Sequence, residues 1–516
     1  MIPDFRKNLI LPLNQPQLSK FRGTNRHILI YNKGMTFIRK VKTSSGATAV
    51  QIVRKSEGRI VEIKHLGSAH TKEELEVLIS LAKKRLQGGQ QSLFPDPKKS
   101  SFKIGLKHSF SYLLFQVLKE QYQSLGFSKL DDEYFAHLCI ARIVEPTSKL
   151  DSLRVLSDLG IGNLSKDRLY RCLTRVVAKD YRTTISAICF DHAVREGLSL
   201  VLYDVTTLYF EVQQEDSYRK PGLSKERRLE PQIIIGLLVN QDGFPLGLKS
   251  FEGNTAETKT ILPVIEAFRI QHHLDTITVV ADAAMLSLKN LEALSQAGYH
   301  YIVGSRLSKV PYDIAQYQKT QSLTDNQIMV TQKDNYKVIY QYKAKRASLD
   351  IKNIEEQIAK ARRIVNGQAP VKRNRFLSLQ TREKKLNQAL MDKAYALAGI
   401  KGYVTDLDLY PEKIIAAYHQ LFEVEASFRM AKSDLKARPI FHHKREAIEA
   451  HLTIVLAGLA VSRRIERLSG ISIKRFIRSL RPIRSGIITL NGKEYSAEAE
   501  IPKDIHKLLQ KLQLGH

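Results

Sequence analysis

The chain has 516 residues, with 43% hydrophobic and 26% charged content, which is the balance of a globular protein long enough for two to four domains. Lys+Arg number 81 against Asp+Glu 52, a surplus of +29, and a surplus of that size calls for a polyanionic partner, nucleic acid being the usual one. No apolar run approaches the length needed to span a bilayer, and the basic residues are scattered rather than gathered on one amphipathic helix, so a membrane partner is not expected.

Residues 27–66 hold short β-rich runs, His27–Tyr31, Thr36–Val41 and Ala47–Val53, then the stretch from Gly58 to Ile63. Thr71 and Glu74 have the spacing of a capping box at a helix start. This makes a small α/β domain over residues 1–100, closed by the Gly/Pro/Gln/Ser-rich linker Gly88–Ser101. From 106 to 197 the 3.6-residue period predicts helices at Ser109–Leu125, Asp131–Val144, Lys149–Leu159 and Lys166–Val177, with Ser165 placed to cap the last. Gly160-Ile161-Gly162 between two helices, followed by Arg168 and Arg171, has the outline of a helix-turn-helix DNA contact, although most helical hairpins bind no DNA. Cys139, Cys172 and Cys189 sit in these apolar helices without CxxC spacing and read as core thiols of a reduced cytoplasmic protein.

At Leu198 the pattern turns to strands. Leu198–Phe210, Gln232–Asn240 and Phe244–Phe251 form a run in which Asp242-Gly243 marks a hairpin. Strand-like Thr276–Ala281, a helix over Leu288–Ala297 and strand-like His300–Val303 follow. The alternation describes a mixed sheet with helices on its faces. Residues 306–401 interrupt it with strands at Gln327–Gln332 and Tyr336–Tyr342 and then polar helices, and read as an insertion; the sheet pattern resumes at Gly402–Leu407. Ile414–Lys432 reads as a single helix on which Tyr418, Leu421, Glu425, Arg429 and Lys432 share a face. Ala447–Leu468 is a further helix. Between Arg463 and Arg484 eight Lys/Arg stand against one Glu, a phosphate-contacting pattern that includes Arg475, Arg478 and Arg481 in the basic segment 471–516.

Three acids stand out. Asp204 follows the run Leu200–Tyr203, Asp282 follows Val279-Val280-Ala281, and Glu425 is on the helix after the insertion. The plainer reading of Glu425 alone is an acid paired with Arg429 at i,i+4. Two strand carboxylates and one from a packed helix have the layout of a two-metal site, and hard oxygen ligands suit two Mg²⁺ or Mn²⁺ ions.

Asp204-Val205-Thr206, Ala281-Asp282 and Tyr418–Glu425–Lys432 resemble the DDE transposases of bacterial insertion sequences, of the insertion-sequence-four type, whose third acid lies in a Y-x2-R-x3-E-x6-K signature. Tyr418, Glu425 and Lys432 fit its spacing; Leu421 stands where the signature has arginine. Pro231-Gln232, Gly253-Asn254-x-x-Glu257 and Arg438-Pro439 are also similar to that family, though Asn254 and Glu257 equally have capping-box spacing. The resemblance implies an RNase H-like catalytic core over 198–305 and 402–470, with Asp204, Asp282 and Glu425 as catalytic metal ligands. It implies Tyr418 and Lys432 at the DNA backbone, with Arg429 as a further cation. It further implies double-stranded DNA partners (element ends and target), a homodimer on DNA, and a place at the bacterial nucleoid. The expected activity is cutting at element ends and joining of 3′-OH ends to target DNA. An RNase H-like nuclease that does not join strands, and a DNA-binding protein without catalysis, are the alternatives.

Overall fold

The computed structural model describes residues 35–87 and 104–513, apart from 44–45, 212–213, 223–229, 284–287, 306, 308, 379–384, 439, 441 and 491. The expected strand His27–Tyr31, the linker Gly88–Ser101 and Pro439 lie outside the described residues. The chain divides at about residue 102 into two compact units.

In the first unit β1 (Met35–Lys42), β2 (Thr48–Ser56) and β3 (Arg59–Ala69) form an antiparallel sheet in that order, followed by α1 (Lys72–Gln87). The capping box forms at the head of α1: the Glu74 amide donates to Thr71 Oγ1 at 3.2 Å and the Thr71 amide to Glu74 Oε2 at 3.3 Å.

The second unit opens on a strand that its sequence does not announce, β4 (Ile104–Phe110). Five helices follow: α2 (Tyr112–Ser124), α3 (Glu133–Val144), α4 (Ser152–Asp158), α5 (Lys166–Ala178) and α6 (Tyr181–Arg195). Short polar side chains start them. Asp132 accepts from the Phe135 amide at 3.2 Å and Ser165 from the Arg168 amide at 3.4 Å, satisfying donors that a first helical turn leaves open. The three cysteines are free and buried.

A mixed sheet of eight strands follows. Its first part is β5 (Val201–Tyr209), β6 (Gln232–Asn240), β7 (Pro245–Glu252), α7 (Ile261–His272), β8 (Thr278–Ala281), α8 (Leu288–Gln296) and β9 (His300–Ser305). β5, β6 and β7 are antiparallel, whereas β8 runs parallel to β5 and β9 parallel to β8. Next come α9 (Tyr312–Thr320), β10 (Ile328–Gln332), β11 (Lys337–Tyr342) and α10 (Ala344–Val365). β12 (Leu377–Ser378), β13 (Lys385–Leu386), α11 (Gln388–Ala396) and β14 (Ile400–Thr405) complete this stretch. The order across the sheet is β10-β11-β14-β9-β8-β5-β6-β7. The first two strands of the expected insertion therefore extend the main sheet. The stretch from α10 to α11 has a small core of its own, around Ile354, Ile358, Phe376 and Met391, and Ile314, Val338, Tyr340 and Ile400 form another.

The expected single helix Ile414–Lys432 is divided. α12 (Pro411–His419) ends at Gln420, α13 (Leu421–Arg429) follows, and Met430–Asp434 is a π turn. At the break the Gln420 amide donates to Ala417 O at 3.2 Å and the Glu423 amide to Gln420 O at 2.8 Å, three-residue bonds that tighten the coil. α14 (Arg445–Ser469) is buried on every side from Ala450 to Ser462, as a helix apolar all round must be. It packs on α3, α5, α6 and β7 and so joins the helical region to the sheet. Last come α15 (Ile473–Leu480), β15 (Ser485–Leu490), β16 (Lys493–Ala497) and α16 (Lys503–Gln513). β15 pairs with β4, so the two ends of this unit share one small sheet. Among the described residues no helix is long and apolar enough to cross a membrane.

Candidate active site

Asp204 lies inside β5, between the buried Tyr203 and Val205. β5 and β8 pair in parallel through Val201 with Val279 and Leu202 with Val280. The same register carried two residues on sets Asp204 beside Asp282, which stands just past the carboxyl end of β8, where α/β sheets bind ligands. Glu425 comes from α13, which packs across β5 and β6 and is tied to the β6–β7 turn by Ser427 Oγ donating to Gly243 O at 2.6 Å. All three acids line one cavity of about 290 Å³, together with Tyr203, Lys401, Tyr418, His419, Leu421, Phe422 and Val424.

Their donor set is the one that hard divalent cations take. The carboxylates are not drawn up around one point, however: among the described residues no three His, Cys, Asp or Glu groups are arranged to hold an ion. Asp282 Oδ1 is engaged on two sides. It accepts from the Tyr418 hydroxyl at 3.1 Å and from the Ala283 amide at 2.7 Å. Burial, then the Asp282 charge, pushes the Tyr418 phenol well above its ordinary pKa, so it stays a proton donor. Burial does the same to Tyr203, whose hydroxyl donates to Thr260 Oγ1 at 2.8 Å.

The structure separates the cations that the sequence grouped with Glu425. Arg429 is exposed on α13 and Lys432 falls in the π turn; neither lines the acid cavity. Lys432 instead borders a void of about 20 Å³ with Thr206, Phe428 and Leu456. The Tyr418 side chain is buried and lines the acid cavity, where its hydroxyl donates to Asp282. Arg168 and Arg171 are exposed on α5, as are Arg475 and Arg478 on α15. Arg481 is not available in the same way, because its guanidinium pairs with Glu145 at 2.7 Å and Asp158 at 3.2 Å.

The cation that does line the cavity, Lys401, escapes the sequence reading. It opens the run Lys401-Gly402-Tyr403-Val404-Thr405, and a lysine at a strand start reads as a solvent-facing end. Its alternation with the buried Tyr403 is the one signal that could have placed it on the inner face.

Two comparisons with known proteins find similarity and one does not. A family model described as a transposase DDE domain matches residues 195–460, just over half of the chain. A solved piggyBac transposase synaptic complex with hairpin DNA is similar at 11% identity and a TM-score of 0.38, over 67% of this chain and 69% of that one. No curated protein matches.

Proposed function

We propose that this chain, which belongs to the transposase DDE domain family, cuts DNA at the ends of an insertion sequence and joins the freed 3′-OH ends to target DNA. The observation that carries the reading is the opening of Asp204, Asp282 and Glu425, far apart in the chain, into one cavity. Three antiparallel strands followed by two parallel ones support an RNase H-like core around that cavity.

Asp204, Asp282 and Glu425 would hold two Mg²⁺ or Mn²⁺ ions. Such a pair, when bound, activates the attacking oxygen and stabilises the leaving one. The remaining work is the chain's own. Tyr418 fixes the rotamer of Asp282 through its hydroxyl, and α13 presents Glu425 from across the sheet. The attack is by water when an end is cut and by a 3′-hydroxyl when it is joined, both in line at phosphorus. The exposed arginines of α5 and α15 would position the duplex through its phosphates.

The test uses duplexes carrying the inverted repeats that flank the gene, with Mg²⁺ and the full-length protein. Asp204→Asn, Asp282→Asn and Glu425→Gln each keep the side chain's shape and remove its charge. Each is expected to abolish cleavage and joining while end binding by gel shift persists. Cleavage near the wild-type rate in any of the three would remove that residue from the mechanism. Cleavage by the wild-type protein with no joining of pre-cut ends would make the chain a nuclease instead.

A further inference from the structure

We propose that Lys401 is the phosphate-binding cation of the acid cavity, its ammonium donating to a non-bridging oxygen of the phosphate being cut. The proposal rests on the transposase reading and adds to it a residue outside the family signature.

Lys401 is half-buried on β14 and lines the same cavity as Asp204, Asp282 and Glu425. Its Nζ lies 4.3 Å from the centre of the Tyr418 ring and 5.6 Å from that of Tyr403. Those ring faces hold the charge without consuming its N–H donors. Among the described residues Lys401 makes no salt bridge, although Asp282 and Glu425 are near enough to act on its charge. A half-buried ammonium with open donors beside carboxylates is positioned for an anion that enters between them. Lys343 and Arg346, at the start of α10, add positive potential on the same side, and His419 lines the cavity next to them. α13 brings the Glu425 carboxylate but no cation into the cavity: the lining residue at the signature's arginine position is Leu421. The cation has thus come from the strand, with the helix supplying none inside the cavity. Lys401 gives up no proton in this role; it holds an oxygen whose charge grows as the bond to the attacking group forms.

The experiment is single-turnover cleavage of an end duplex by the full-length protein. The scissile position carries either an ordinary phosphate or one of the two phosphorothioate diastereomers. Lys401→Gln is expected to slow cleavage of the ordinary phosphate about 10²-fold, with the melting temperature and the binding of the duplex in EDTA nearly unchanged. Sulfur accepts a hydrogen bond from an ammonium poorly, so one diastereomer should bring the wild-type and Lys401→Gln rates together while the other keeps them apart. Lys401→Arg should retain more activity than Lys401→Gln. A Lys401→Gln rate equal to wild type, or the same deficit on all three substrates, overturns the proposal. Asp204→Asn on the ordinary phosphate separates the two failures. If it cuts normally, the placing of the chemistry in the acid cavity, on which this proposal rests, falls; if it is inert while Lys401→Gln is unimpaired, the role of Lys401 alone falls.

Discussion

Tyr418 reaches Asp282 only because residue 304 has no side chain. A Cβ on Gly304, in β9, would lie 2.5 Å from the Tyr418 hydroxyl oxygen and 3.2 Å from the Ala283 Cβ, so the hydroxyl would have to move and Ala283 to give slightly. Gly304→Ala is therefore expected to lose about 1–3 kcal/mol of stability by overpacking, read by chemical denaturation, and to lower cleavage further by lifting Tyr418 off Asp282. Tyr418→Phe separates the two effects, because it keeps the ring under Lys401 and removes only the hydroxyl. It should leave the denaturation midpoint close to wild type, lower cleavage about 10- to 100-fold for one lost hydrogen bond to a carboxylate, and raise the Mg²⁺ concentration needed for half-maximal rate. A Tyr418→Phe protein with wild-type rate and Mg²⁺ dependence would show that the hydroxyl does not hold Asp282 for catalysis.

Between elements, the divided helix decides which side chains meet. The three-residue bonds at Gln420 and the π turn at Met430–Asp434 rotate the coil away from a uniform 3.6-residue repeat. Glu425 stays over the cavity and Lys432 leaves it. A second junction is electrostatic. Arg154 and Arg481 hold the Glu145 carboxylate below the usual range, and Arg481 and Arg484 also pair with Asp158, so the end of α15 is clamped to α3 and α4. A carboxylate whose folded pKa is depressed contributes stability above its unfolded pKa of about 4.3 and loses it as pH falls through the lower folded value. Glu145→Gln should therefore melt below wild type at neutral pH, with the gap closing as the pH is taken well under 4.3. A gap of constant size across thermal melts from neutral to acid pH would show that the clamp is not ionic.

Across the whole molecule the charge surplus is +29, and the exposed pairs Arg168/Arg171 and Arg475/Arg478 lie on different helices. Phosphate contacts release counterions, so binding to duplex DNA should weaken with salt at a log–log slope of roughly −0.9 per phosphate neutralised. Replacing Arg475 and Arg478 by Ala should flatten that slope and weaken end DNA and random DNA by similar factors, because phosphate contacts carry no sequence information. Replacing Arg168 and Arg171 should instead erode the preference for element ends. Arg481→Ala, by contrast, should register in the melting temperature before it registers in DNA binding, since its guanidinium is held by Glu145 and Asp158. Salt titrations on both DNAs check this: an unchanged slope in the first variant returns α15 to ordinary solvated surface, and equal losses on both DNAs in the second remove base readout from α5.

The sequence by itself determined the elements whose signals are local. Apolar β-branched runs placed β5, β6, β8 and β9, Asp242-Gly243 placed the β6–β7 hairpin, and Thr71, Glu74 and Ser165 announced helix starts that the hydrogen bonds bear out. The three acids were legible because Asp204 and Asp282 interrupt or end apolar strands and Glu425 sits at signature spacing from Tyr418. The tertiary structure decided what depends on partners far along the chain. β4 is a strand because β15 lies beside it, and β10 and β11 join the main sheet because β14 returns next to β11. No window of local sequence contains both members of such a pair. The break at Gln420 was invisible and the inward face of Lys401 only faintly marked for a related reason: a helix repeat shows only the average period, and a strand-end lysine shows little beyond its polarity and its alternation with Tyr403. Which way each side chain turns is settled by the surfaces it packs against, here Tyr403 and Tyr418 beneath the Lys401 ammonium.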